Sequence, residues 1–340
     1  MNRRPARTRR LPHLLTAAIL ALAMVGLVAC GEKSEDGTSA SAEPFSLTLD
    51  FYPNPDHAGI YIAQKLGYFA DAGLDVSIQT PSDPAAPIKQ VAAGRTDLAI
   101  SYEPEVLLAR EQGLDVIAVG ALVDRPLTSL IWLSKSGIGG VADLRGKTIA
   151  TAGIPYQDAY LETILARAKL TPSDVKTVNV GYGLLPALVG GRAQAMLGGF
   201  RNVEGVDLRL RGLNPVVTPV DQLGVPTYDE LVLVANGDQL NEDSEAVRLF
   251  LAALARGTAA AAENPAATTK ALLEANSDLD PRLTEAEVAA TLPLLSRSGR
   301  MNPAKWKAFI AWAQENGVIS DRPNTAEVLS NEYLAGEIPD

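Results

Sequence analysis

The sequence predicts an α/β fold of two lobes with a ligand cleft between them. Three observations carry that expectation. Once a 29-residue leader is set aside, 311 of the 340 residues remain, more than one core usually holds. Strands and helices alternate along most of that length, the pattern that builds a mostly parallel sheet. One set of landmarks also recurs in the same order about one hundred residues later.

The leader comes first. Arg3, Arg4, Arg7, Arg9 and Arg10 form a basic region, Leu14 to Val28 an apolar run, and Leu27-Val28-Ala29-Cys30 matches the bacterial lipoprotein cleavage box. A short apolar run that ends at small residues and a cysteine reads as an export signal over residues 1–29, with a signal anchor as the alternative. Cys30 is the chain's single cysteine, so internal disulfides and a cysteine metal site are excluded. Its expected use is to carry lipid, and two or three acyl chains at roughly 0.8 kcal/mol per buried methylene hold a protein at a membrane. Residues 30–45, rich in Ser, Gly, Glu and Ala, read as the lipidated cysteine and a flexible tether, spanning about 20 Å root mean square.

Removing the five leader arginines leaves 25 Lys+Arg against 40 Asp+Glu, about −15 for the mature part. So acidic a body argues against nucleic acid and against a polybasic membrane face.

The first landmark is the strand Ser46 to Asp50, followed by a Pro-containing loop and a helix beginning near His57. It is echoed by Lys147 to Thr151, Gly153-Ile154-Pro155-Tyr156 and a helix from about Asp158. Next, Leu74 to Ile78 is echoed by Ser173 to Thr177. The third is AAGRTDLAIS (Ala92 to Ser101), matched by VGGRAQAMLGG (Val189 to Gly199), where Gly94 and Gly191 can close a helix before an apolar strand. Ser129 to Ser134 is expected to leave the first unit and Leu231 to Ala235 to return from the second. Helices are expected over Ser244–Glu263, Pro265–Ala275, Thr284–Arg297, Pro303–Glu315 and Ala326–Tyr333. The organisation is therefore residues 46–134 plus 231–340 as the first lobe with its C-terminal helices, and 135–230 as the second. Two crossings between α/β lobes make a hinged clamp that can close on a small ligand.

Ligands of such folds bind past the carboxyl ends of the strands, and the chemistry-bearing residues concentrate there. Tyr52, Tyr102, Tyr156, Tyr182, Phe200 and Tyr228 lie at or near strand ends, where rings could sandwich a flat heterocycle, or else pack the lobe edges. Asp50, Asn54, Glu103, Asn202, Glu204 and Glu230 could accept hydrogen bonds from exocyclic amino groups. Ser101 and Glu103 stand directly before Pro104, where they could equally serve a helix start. His57, the mature part's only histidine, could hydrogen-bond a ring nitrogen or cap its helix. With no His/Cys or metal constellation around it, catalysis is not expected, and neither is a cofactor.

The segments YPNPDHAGIYIAQKLGYFADAGLDV, PSDPAAPIKQVAAGRTDLAISYEPEVLLAREQGL, GIPYQDAYLET, NVGYGLLPALVGGRAQAMLGGFRNVEG and GVPTYDELVLVAN resemble the substrate-binding lipoproteins that deliver thiamine pyrimidine precursors to ABC importers. The similarity spans about residues 46–335. It implies a type II periplasmic-binding fold and capture of a formylated aminopyrimidine or a close relative. The ligand contacts it favours are Asp50, Tyr52, Asn54, His57, Ser101, Tyr102, Glu103, Tyr156, Phe200, Asn202, Glu204 and Tyr228. The implied partners are a pyrimidine-type small molecule, an ABC permease and its ATPase, and the membrane through Cys30, the protein itself being a monomer on the extracytoplasmic face. The family also includes fungal-type hydroxymethylpyrimidine phosphate synthases with a cysteine-rich iron motif, which this chain lacks. Riboflavin, nitrate or sulfonate carriers on the same fold are the alternatives within the binding class. Two departures bear on the ligand: Phe51 stands where the family often has tryptophan, and Arg201 follows Phe200 where another tryptophan is frequent. An Arg201 facing the cleft could contact a carboxylate or phosphate.

Overall fold

The computed structural model describes residues 42–335. The leader, Cys30 and most of the expected tether lie outside the described residues. The tether's last residues do not: Glu43 already pairs with Leu74, because the first strand begins three residues before the expected Ser46.

Ten strands form two five-stranded sheets. They are β1 (Glu43–Thr48), β2 (Leu74–Gln79), β3 (Leu98–Ser101), β4 (Val116–Val123), β5 (Thr128–Leu133), β6 (Thr148–Thr151), β7 (Lys176–Asn179), β8 (Ala195–Phe200), β9 (Pro215–Pro219) and β10 (Leu231–Asn236). The sheet orders are β2-β1-β3-β10-β4 and β7-β6-β8-β5-β9. The sequence echo is thus an echo of topology, with β1, β2, β3 and β4 answered by β6, β7, β8 and β9. In both sheets the first three of these are parallel and one antiparallel strand is inserted.

That inserted strand corrects the expected boundary. β5 pairs antiparallel with β8 and β9, so Ser129 to Ser134 belongs to the second sheet rather than leaving the first. β10 belongs to the first. The chain crosses outward between Val123 and Thr128, and returns just before Leu231. Every residue of β5 is buried, and a strand apolar on both faces carries no sequence mark of which sheet it joins.

Glu230, considered above as a ligand contact, ties these crossings together. Its carboxylate accepts the N–H groups of Leu127 and Thr128 at 2.6 and 2.7 Å, the Thr128 hydroxyl at 2.8 Å and the Tyr228 hydroxyl at 3.0 Å. Beside it, Asp229 accepts Lys305 Nζ at 2.6 Å and Trp306 Nε1 at 2.7 Å. These bonds anchor the hinge to the C-terminal helix Pro303–Glu315.

The other C-terminal helices fall at Glu245–Glu263, Pro265–Ala275, Pro281–Thr291 and Thr325–Val328. The last two are shorter than expected and begin earlier, because Asp280 and Asn324 cap their N-termini. The long Glu245–Glu263 helix lies against Ala58–Lys65, whose backbone it meets directly. A Cβ on Gly257 would collide with the Gly59 carbonyl, so only glycine allows the approach. This contact fixes the helix that follows the Asp50–His57 loop.

Candidate ligand cavity between the lobes

The loop after β1 is held by its own side chains. Asn54 accepts the Asp56 N–H at 2.8 Å and donates to the Tyr52 carbonyl at 3.2 Å, a turn-capping arrangement that suits the Pro55 helix start. His57 is fully buried. Its Nδ1 accepts the Asn54 N–H at 3.3 Å, which leaves Nε2 to donate to Asp50 Oδ1 at 2.8 Å. The other Asp50 oxygen accepts the Tyr102 hydroxyl at 2.8 Å. Asp50 therefore joins the ends of β1 and β3 and sets the orientation of the Tyr102 ring.

The second lobe presents the echoed loop. Ile154-Pro155 leads into the helix Tyr156–Arg167. Gln157 Oε1 accepts the Ala152 N–H at 2.9 Å, fastening the helix start to the end of β6. After β8, Glu204 Oε2 accepts the Phe200 N–H at 2.7 Å. Burial pushes the Glu204 carboxyl up to about 7, against the pull of the Phe200 and Glu204 backbone amides.

These two loop sets enclose a small cavity that opens to solvent, lined by Asp50, Phe51, Asn54, Tyr102, Ala152, Ile154, Tyr156, Gln157, Leu184, Gly198, Phe200, Val203 and Glu204. Among the described residues, no side chain donates to Glu204, and neither Gln157 Nε2 nor the Tyr156 hydroxyl has a hydrogen-bond partner. One wall thus offers an acceptor, a donor and a hydroxyl in an otherwise apolar chamber. Gly198 has a φ of 109°, and a Cβ there would strike the Gln157 amide.

Six of the expected residues come together around this cavity: Asp50, Asn54, Tyr102, Tyr156, Phe200 and Glu204. Of these, the Asp50 and Asn54 side chains are committed within lobe one, so they shape the chamber rather than offer it polar atoms.

The remaining expected contacts sit elsewhere, and each has a physical reason. The ring nitrogens of His57 are both engaged. The Ser101 hydroxyl donates to Glu105 at 2.7 Å. Glu103 receives the Asp229 N–H at 2.7 Å, behind the cavity at the hinge. The Tyr228 hydroxyl goes to Glu230, and its ring packs on Tyr160 and Phe309. Asn202 donates from Nδ2 to Asp56 Oδ1 and Thr291 Oγ1, both at 2.8 Å. Tyr52 is 39% exposed and lines a neighbouring cavity. Arg201 does not line the cavity; its backbone N–H donates to the Leu127 carbonyl at 3.1 Å, and its side-chain Nε is buried without a partner among the described residues.

The expected aromatic sandwich also differs. The Tyr102 and Tyr156 ring centroids are 5.7 Å apart and inclined at 59°. A ring held between two others needs about 7 Å, two van der Waals layers, so these tyrosines pack against each other across the cleft. Further contacts span it: the Tyr182 hydroxyl donates to the Pro81 carbonyl at 3.0 Å, and Phe51 meets the Tyr182 ring edge-on at 4.5 Å. With Asn202 to Asp56, they hold the lobes closed. Gln157, Leu184 and Gly198 escaped sequence reasoning. Gln157 follows the Pro155-Tyr156 turn directly, a signal that could have found it.

Two sheets of this topology, bridged by two crossings and closing on a cavity, define the periplasmic-binding-protein class of fold. A solved alkanesulfonate-binding protein from Xanthomonas axonopodis pv. citri matches it with a TM-score of 0.68 at 18% identity, over 86% of this chain and 99% of that one. The chain belongs to the NMT1/THI5-like family, whose model matches residues 54–268. It is 36% identical to a putative thiamine biosynthesis protein of Haemophilus influenzae, over 83% of this chain and 90% of the relative. It is 34% identical to a formylaminopyrimidine-binding protein of Halalkalibacterium halodurans, over 91% and 95%. A 4-amino-5-hydroxymethyl-2-methylpyrimidine phosphate synthase of Legionella pneumophila is a more distant relative, 26% identical over 85% and 92%. Among the described residues, no helix is long and apolar enough to cross a membrane.

Proposed function

We propose that this protein is the extracytoplasmic binding lipoprotein of an ABC importer, that Cys30 anchors it, and that it captures an aminopyrimidine precursor of thiamine. The observation that carries the ligand class is Glu204: a buried carboxyl on the cavity wall, poised near neutrality, to which no side chain donates. A 4-aminopyrimidine edge presents an amino donor beside a ring-nitrogen acceptor. A carboxyl that titrates near 7 can accept from the first and, when protonated, donate to the second. Tyr156 and Gln157 supply further polar contacts, while Phe51, Leu184 and Phe200 supply apolar surface. The relative named a formylaminopyrimidine-binding protein supports the same class. A nitrate or sulfonate ligand would instead favour basic side chains, and no Lys or Arg lines this cavity.

The reading is non-enzymatic. A synthase that consumes a histidine needs that ring accessible, and His57 is buried with both nitrogens engaged. Calorimetry of the soluble mature domain against N-formyl-4-amino-5-aminomethyl-2-methylpyrimidine, thiamine, riboflavin, taurine and nitrate tests the proposal. The expected result is saturable binding of the pyrimidine without turnover. Binding of taurine or nitrate alone, or conversion of the pyrimidine, would refute it.

A further inference from the structure

A second cavity, also open to solvent, adjoins the first and shares Asn54, Val203 and Glu204 with it. Its other polar walls come from Tyr52, from Asp207 on the helix after β8, and from Asp280, Thr284 and Glu287 at the helix Pro281–Thr291. The carboxylates here are not alike. Asp207 is paired with Arg211 on the next turn, at 2.5 and 2.9 Å. Asp280 caps its own helix by accepting the Leu283 N–H at 2.8 Å. Glu287 is only 6% exposed and has no hydrogen-bond or salt-bridge partner among the described residues, yet it lines the cavity.

A buried carboxyl without a partner is costly, and a structure retains one where something else completes it. Burial, then Glu204, Asp207 and Asp56, push the Glu287 carboxyl up to about 9. Among these carboxyls only Asp207 has a cationic partner, Arg211, and none of the described residues offers one to Glu287 or Glu204. Tyr52 adds an aromatic ring to the same wall, and ring faces attract cations.

We propose that this outer cavity is a cation subsite: it holds a protonated amine on an arm of the same ligand whose ring occupies the inner cavity. The inference rests on the pyrimidine reading and extends it from the ring to its substituent: the N-formyl derivative, whose arm is an uncharged amide, binds through its ring alone and more weakly than the free amine. Glu204, on the shared wall, stands where ring and arm join. An ammonium there gives Glu287 its missing partner, and a neutral arm does not.

The experiment compares two probes that differ only at that arm, 4-amino-5-aminomethyl-2-methylpyrimidine and 4-amino-5-hydroxymethyl-2-methylpyrimidine, by calorimetry at pH 7 on the mature domain. The aminomethyl probe is expected to bind at least about 10-fold tighter, as for a buried charge-assisted hydrogen bond. Glu287→Gln, which preserves shape, should shrink that preference below about 3-fold. Equal affinities in the parent, or a preference that survives Glu287→Gln, would overturn the cation subsite while leaving the pyrimidine reading intact. Failure of both probes and of the formylated pyrimidine would overturn the two together.

Discussion

Glu204 at the inter-lobe cavity and Glu230 at the hinge are alike by most measures. Both are buried carboxyls on the segments where the lobes meet, and burial pushes both up to about 7. They differ in their partners. Glu230 takes donors from Leu127, Thr128 and Tyr228, which saturate it. Glu204 takes backbone N–H groups alone and turns toward a chamber. A shifted carboxyl is therefore not in itself a mark of function. What separates these two carboxyls is the hydrogen-bonding capacity that the fold leaves uncommitted at Glu204, on the wall of a cavity.

Substitutions at the two positions should separate these roles. Glu230→Ala has the largest expected effect: it strips the acceptor from two buried backbone N–H groups and lowers stability by about 3 kcal/mol or more, read as the urea midpoint. Glu204→Gln should not lower the urea midpoint but should weaken pyrimidine binding about 10- to 100-fold by calorimetry. A Glu204→Gln variant that binds as tightly as the parent would erase the contrast.

What the carboxyls share should appear in the pH dependence. Glu204, Glu230 and Glu105 all hold protons in the folded state up to about 7, whereas an unfolded glutamate loses its proton near 4.3. Where the folded state binds more protons, stability falls as pH rises. Their contribution is full below about pH 4.3 and is lost as pH climbs through about 7. Thermal scans should give a lower midpoint at pH 8 than at pH 5.5, and Glu204→Gln should flatten that slope by up to about 1.4 kcal/mol per pH unit.

The smallest effect belongs to the closure contacts. Tyr182→Phe removes the hydroxyl donated to Pro81 across the cleft, a loss of about 1 kcal/mol from the closed state alone. Ligand affinity should fall about 5-fold, mainly through faster release in stopped-flow traces, with the urea midpoint nearly unmoved.

Much of this was legible beforehand. The duplicated order of strand, loop and helix marks two lobes, because periodicity and turn chemistry are local properties of the chain. Asp50, Asn54, Tyr102, Tyr156, Phe200 and Glu204 converge as expected, because each stands at a strand end and strand ends of one α/β unit share one edge. The roles did not follow from position. His57 looked like a ligand contact, but its Nε2 is claimed by Asp50 and its Nδ1 by the Asn54 N–H. Glu103 and Tyr228 also stand beside strands, and both turn to the hinge.

The sequence by itself determined the two α/β halves, the acidic body, the family and the loops that line the inter-lobe cavity. Each is written in residues near one another along the chain. Only the tertiary structure decided which sheet claims β5, which carboxyls are satisfied and which remain open, and that Tyr102 and Tyr156 meet rather than form a slot. Those outcomes depend on pairings between residues far apart in sequence. Tyr102 reaches Asp50 and Glu230 reaches Thr128 only once the chain has crossed between its lobes and returned.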